Sequence, residues 1–224
     1  MKIESDILLS GSNLASVRGG RVVYTGLNIQ LMAGALITLE GPNGSGKSTL
    51  IRQLAGLLSL TAGTLQIAGL DVAEDPGARS DSLHFSGHTN GLKPAFDLAT
   101  NLTLYSETVL GFRPNRSVLE AATASFDLAA LLDTPIRYFS SGQQHRSALA
   151  RLGLAHRPIW LLDEPTVGLD QANRDRLRTQ IELHLAAGGG AIIATHDDLG
   201  IAGDILQMTE FRGGRDDPEA WLWD

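Results

Sequence analysis

The chain has 224 residues, 43 % of them hydrophobic, with 18 basic against 25 acidic side chains and a formal net charge of −7. That is enough apolar material for one globular domain with an inserted lobe, and the acidic balance argues against nucleic acid as a partner, since such a footprint is normally basic. No cysteine is present, which excludes disulfides, thiolate zinc sites and thiol nucleophiles and fits a reducing compartment.

The opening "MKIESDILLS" is too acidic, and its apolar run too short, for a signal peptide. No stretch approaches the roughly 18 apolar residues that a bilayer span needs. The expectation is no direct membrane insertion: a soluble protein, or one held at a membrane through a partner. "VVYTGLNIQL" then reads as strand and turn, and "ALITLE" as a buried strand closed by the glycine-rich "GPNGSGKS". From Ser48 to Leu58 the apolar positions Leu50, Ile51, Leu54, Leu57 and Leu58 follow helical spacing. "GTLQIAG" predicts a short edge strand between turns.

Residues 89–157 change character. Their apolar positions are spaced helically, and Pro94, Pro114 and Pro135 divide them into short pieces. The pattern resumes with the strand "PIWLLDE", a helix from about Ala172 to Ala187 with Leu177, Ile181 and Leu185 as its buried stripe, a stop at Gly188 to Gly190, and the strand "AIIAT". Interleaved strands and helices predict an α/β domain, with a core of about 1–88 and 158–224 around a helical insert of about 89–157. Trp221 and Trp223 near the C-terminus are expected to pack on the core.

"GPNGSGKS", Gly41 to Ser48, fits G-x-x-x-x-G-K-[ST] between a predicted strand and a predicted helix. Gly41, Gly44 and Gly46 let the backbone fold tightly and turn N–H groups towards phosphate oxygens, and the following helix adds its positive end. Pro42, Asn43, Ser45 and Thr49 complete the expected phosphate cradle. Lys47 can reach the outer phosphates, and the Ser48 hydroxyl can ligate Mg²⁺. The expected ligands are therefore ATP and Mg²⁺. "IWLLDEP", Ile159 to Pro165, ends an apolar strand in two carboxylates. Alone it could be a strand entering an acidic turn. Beside a phosphate loop, Asp163 can hold Mg²⁺ and Glu164 can deprotonate the attacking water. His196 follows "AIIAT" and belongs at a strand's carboxyl end, where parallel sheets bind ligands.

"YFSSGQQHR", residues 138–146, holds no obvious catalytic group. Ser140 and Gln143 form S-x-x-Q, a capping-box pattern that can start the next helix. A helix N-terminus with Ser140, Ser141 and Gly142 exposed is also a phosphate-binding surface. A chain that already cradles phosphate in one loop has use for a second such surface when it serves a second copy.

These motifs, in this order, resemble the ATP-binding subunits of ABC transporters. They are the phosphate loop at 41–48, "FSSGQ" at 139–143, "WLLDEP" at 160–165, "GLD" at 168–170 and "TH" at 195–196, and they cover nearly the whole chain. The resemblance implies a P-loop NTPase core of ABC type with an antiparallel β subdomain and a helical subdomain. It also implies a head-to-tail homodimer in which Ser140 to Gln143 of one copy close on ATP held by the other, with Asp170 in a neighbouring loop. "RGGR", "SGHTNGLK", "FSSGQQHRSALARL" and "IATHDDL" are similar to the branch that serves cytochrome c maturation as a haem exporter. That branch implies integral membrane permease partners, a peripheral place on the cytoplasmic face of the bacterial inner membrane, and delivery to a periplasmic haem chaperone. An exporter of another cargo, or a soluble non-transport ATPase, are the alternatives. The chain departs from the common pattern at Ser141, where glycine is usual, and at Asp97 and Thr100, where Thr and Glu are common. His88 stands where glutamine is usual, and Arg18 where an aromatic residue stacks on adenine.

Overall fold

The computed structural model describes residues 6–75, 77–87 and 89–212; His88, Trp221 and Trp223 lie outside them. The described chain begins with a hairpin. Strands β1 (Ile7–Arg18) and β2 (Arg21–Met32) run antiparallel, with Arg18 opposite Arg21. Between them Gly19 and Gly20 have φ of 54° and 72°, the left-handed values that a two-residue hairpin turn needs. Then follow β3 (Leu36–Glu40), α1 (Lys47–Leu54), β4 (Ala62–Ile67), β5 (Leu70–Asp71), α2 (Gly77–Ser82) and β6 (Leu83–Ser86). The helical stretch comprises α3 (Leu98–Tyr105), a π-turn at Ser106–Leu110, α4 (Arg116–Ala124) and α5 (Ser141–Leu149), with 3₁₀ turns at Ala129–Leu131, Ile136–Tyr138 and Ala150–Gly153. Strand β7 (Ile159–Asp163), α6 (Gln171–Ala186), β8 (Gly190–Ala194) and β9 (Asp204–Gln207) complete the order.

Two sheets result. One is antiparallel in the order β2-β1-β4-β5, the other parallel in the order β6-β7-β8-β3-β9. Alternation in the parallel strands divides the core. Ile37, Leu39, Leu161 and Ile192 pack with Leu9, Leu14, Tyr24 and Leu27 of the antiparallel sheet and with Leu50, Ile51 and Leu54 of α1. The intervening residues Leu36, Trp160, Leu162, Ala191 and Ile193 pack with Leu102, Leu119, Phe126 and Leu149 from the helices and with Leu177 and Ile181 of α6. A strand buried on both faces reads as a continuous apolar run, which is why "ALITLE" and "PIWLLDE" stand out in the sequence. Among the described residues no helix is long and apolar enough to cross a membrane.

Several expectations need correcting. "GTLQIAG" is not an edge strand: β4 lies between β1 and the two-residue β5, because β1, which the sequence reading missed, offers it a full edge. "VVYTGLNIQL" is continuous strand, its ladder absorbing Gly26 at φ 67° through register shifts. The first helix stops at Leu54. Gly56 at φ 76° turns the chain, and Leu57 is left 59 % exposed. On α6 the stripe includes His184, which is buried where Leu185 is only half-buried. Its ring stacks on Trp160 with centroids 4.0 Å apart and planes 7° apart.

Candidate nucleotide site

Parallel pairing sets the site. Leu39 and Asp163 both pair with Ala194, and Ser86 pairs with Leu162. The strands therefore end level, and the segments after β3, β7 and β8 leave from one edge. Such an edge is where open parallel sheets bind ligands.

After β3 the chain folds into a tight loop. Gly41 and Gly46 have φ of 141° and 103°, and a side chain on Gly46 would come 2.9 Å from Val23 Cγ1. Only glycine meets both demands. Gly46 caps α1, so the helix presents its first N–H groups to the pocket. A cavity of about 510 Å³ lies here, lined by Asn43 to Thr49, Asp163 and Glu164, with Arg18, Val23 and Arg52 at its side. Arg18 Nη2 donates to the Ser59 carbonyl at 3.4 Å. Gly41 and Pro42 line a neighbouring cavity of about 620 Å³ with Thr195 and His196.

Three elements converge on Lys47 and Ser48. The Ser48 hydroxyl donates to Asp163 Oδ1 at 2.7 Å. Asp163 is 2 % exposed, and its Oδ2 is buried with no hydrogen-bond partner among the described residues. Arg52 Nη2 stands 3.7 Å from that oxygen. A buried carboxylate with one unspent oxygen beside a hydroxyl is a fitting donor set for Mg²⁺, a hard cation that prefers oxygen. Lys47 Nζ donates to the Gly41 carbonyl at 2.6 Å and lies 3.2 Å from His196 Nε2. The same nitrogen is 3.1 Å from Asn43 Oδ1 and 3.7 Å from Glu164 Oε1. One imidazole nitrogen cannot serve both Lys47 and Asn43 at once: facing Lys47 it offers a lone pair, facing Asn43 a proton.

Glu164 has φ of 55°, a conformation that costs a residue with a Cβ on the order of 1–2 kcal/mol. Its N–H is bonded to the Ala194 carbonyl at 2.8 Å. This bond turns the chain across the sheet edge and directs the side chain towards His196 rather than onwards along the strand.

The structure does not bring Ser140 to Gln143 to this pocket. Ser140 Oγ accepts from the Gln143 N–H at 3.2 Å, and Gln143 Oε1 accepts from the Ser140 N–H at 2.8 Å, a complete capping box. Ser140 and Ser141 are exposed, and Gly142 packs close to the Gly168 carbonyl. Asp170 is spent locally. It caps α6, accepting from the Asn173 backbone at 2.9 Å and side chain at 2.7 Å, and these bonds hold its carboxyl below the usual range. Sequence reasoning missed Val23 and Arg52, whose place at the pocket depends on packing between distant elements. It also missed His145, whose Nε2 donates to the Pro165 carbonyl at 2.8 Å and ties α5 to the turn of Glu164. His145 did carry a signal: a histidine on the helix that follows the capping box.

A family model described as ABC transporter matches residues 24–167. The chain belongs to the ABC transporter family. As a member it binds and hydrolyses ATP. It is 45 % identical, over 92 % of its length and 96 % of the relative's, to the cytochrome c biogenesis ATP-binding export protein CcmA of Paramagnetospirillum magneticum. Its fold is that of an ABC transporter ATP-binding protein of Pyrococcus furiosus, with TM-score 0.80, 20 % identity, and coverage of 92 % and 99 % of the two chains. It is equally that of an ATP-binding cassette solved as a dimer in a post-hydrolysis state with ADP and Pi, with TM-score 0.74, 23 % identity, and coverage of 91 % and 94 %.

Proposed function

We propose that this chain is the ATPase subunit of a membrane complex that drives haem handling in cytochrome c biogenesis, delivering to a periplasmic haem chaperone. Likeness to the cytochrome c biogenesis relative along almost the whole of both chains carries this reading. The chain then sits peripherally on the cytoplasmic face of the bacterial inner membrane, held there by integral permease subunits. Its core, residues 1–88 and 158–224, binds nucleotide, and the insert 89–157 is the helical subdomain.

In the chemistry we propose, the loop from Gly41 to Thr49 turns its backbone N–H groups to the phosphates of ATP. Lys47 leaves the Gly41 carbonyl to offset the charge of the outer phosphates. Ser48 and Asp163 would hold Mg²⁺, which supplies charge neutralisation at the transferring phosphoryl group. Glu164 takes the proton of the attacking water as general base, worth about 10²- to 10⁴-fold in rate. His196 orients the groups about the terminal phosphate, and Arg18 lies flat against the adenine. Ser140 to Gln143 act on the ATP of a second copy in a head-to-tail dimer. The exposure of Ser140 and Ser141, and the absence of all four residues from their own chain's pocket, support that division.

Co-isolation after mild detergent extraction tests the assignment. Mass spectrometry should identify permease subunits, and a deletion strain should lose covalent haem attachment to c-type cytochromes. Normal cytochrome c in that strain would refute the cargo. Two separate variants test the dimer. Lys47→Ala should weaken ATP binding to the isolated chain, whereas Ser140→Arg should spare it and abolish ATP-driven dimerisation. Equal loss of binding in both would refute the head-to-tail arrangement.

A further inference from the structure

Helix α5 is fastened to two of the segments that leave the catalytic edge of the parallel sheet. At its middle His145 holds the Pro165 carbonyl, one residue beyond Glu164. Beyond its end, in the 3₁₀ turn Ala150–Gly153, Arg151 Nη2 donates to the Gly91 carbonyl at 3.4 Å. Gly91, with φ of 58°, belongs to the segment running from β6 to α3, and β6 ends at Ser86, opposite Leu162. The Arg151 guanidinium also lies over the Tyr105 ring, 4.7 Å from its centroid, the geometry of a cation–π contact. A stacked guanidinium keeps its place while its edge donors change partners.

Two atoms in this cluster are unspent. Arg151 Nε is a buried donor and Asn90 Oδ1 a buried acceptor, and neither has a partner among the described residues. Buried polar atoms are nearly always paired. Here the unspent acceptor is on the residue adjoining the one whose carbonyl Arg151 already touches. That bond is itself long for an N–H···O contact.

We infer that Arg151 is a positioning residue for ATP hydrolysis, holding the segment 89–93 in either of two registers. In this structure Nη2 takes the Gly91 carbonyl; in the second register Nε takes Asn90 Oδ1. The guanidinium stays on Tyr105 throughout, so the segment that leaves the sheet after β6 follows the position of α5. The inference deepens the reading of α5 as the helix that meets the second copy's ATP, and rests on it. Contact at Ser140 selects the register, and the register sets the hydrolytic edge of the same subunit.

A double-mutant cycle tests this. Arg151→Met, Asn90→Ala, the pair together, and Arg151→Lys are compared in the assembled complex for kcat, and in the isolated chain for the Kd of a fluorescent ATP analogue and for thermal midpoint. Each single change should lower kcat about tenfold with Kd within about twofold, and the double change should add little more, because both remove the same register. Arg151→Lys should remain low, since an ammonium has neither the plane nor an Nε. Losses that multiply in the double variant, full recovery with lysine, or parallel loss of Kd and thermal midpoint would each overturn the inference. So would an unchanged kcat. Failure of the head-to-tail reading shows elsewhere: Ser140→Arg would then dimerise normally with ATP, while the Arg151–Asn90 cycle still reports on the register alone.

Discussion

Acid should destabilise this protein before its carboxylates titrate, because of His84. Strand β6 carries that ring into the interior, where it is 1 % exposed. Its Nε2 donates to the Ala155 carbonyl at 3.0 Å, and Nδ1 faces the Tyr105 hydroxyl at 3.5 Å. Burial pushes its pKa down to about 4, and the charges of Arg157, His184 and His156 oppose a proton as well. The folded pKa lies below the unfolded value of 6.5. The neutral ring's contribution is therefore complete above about pH 6.5 and is lost progressively as pH falls towards 4. Between pH 8 and pH 5 the unfolded chain gains the proton and the folded chain does not. At 1.36 kcal/mol per unit, the 1.5 units from 6.5 to 5 amount to about 2 kcal/mol from His84. His184, also pushed down to about 4 by burial, acts in the same direction. Urea unfolding from pH 8 to pH 5 measures the effect. His84→Gln keeps a donor for the Ala155 carbonyl and removes the titration, so its stability should fall by about 2 kcal/mol less over that range. Parallel curves for the two proteins would refute the argument, since they would show that the folded chain admits the proton at His84 as readily as the unfolded one.

Glu164→Gln should leave the Kd for ATP within about twofold and lower hydrolysis by about 10²-fold or more. The backbone bond to Ala194 that fixes the residue does not involve the side chain; near-normal turnover in the assembled complex would remove Glu164 from the role of base. Gly189→Ala should destabilise the fold by about 1–3 kcal/mol, because its Cβ would fall 2.2 Å from His184 Cε1 and drive the ring off Trp160. An unchanged thermal midpoint would count against the stack as a fixed part of the core.

Features that depend on neighbours in the chain were open to reading. The glycines of the phosphate loop declare a backbone that must turn sharply, and Ser140 with Gln143 declares a helix start, since each device works across three or four residues. The apolar runs of β3, β7 and β8 announce strands covered on both faces. Which strands meet is a different matter. "GTLQIAG" looks like an edge until β1 pairs with it, and the pairing depends on a partner some fifty residues away in sequence. His184 gives no sign of being core until Trp160 lies beneath it. The register of parallel strands brings Asp163 to Ser48 across 115 residues, and His196 to Lys47 across 149. Local motifs state which chemistry each segment can perform, because their geometry is set by torsions and by hydrogen bonds to near neighbours. Their convergence on one pocket, the reversed backbone at Glu164 and the reach of Arg151 to Gly91 arise only in the folded chain, where burial and strand pairing choose among contacts that the local sequence leaves equivalent.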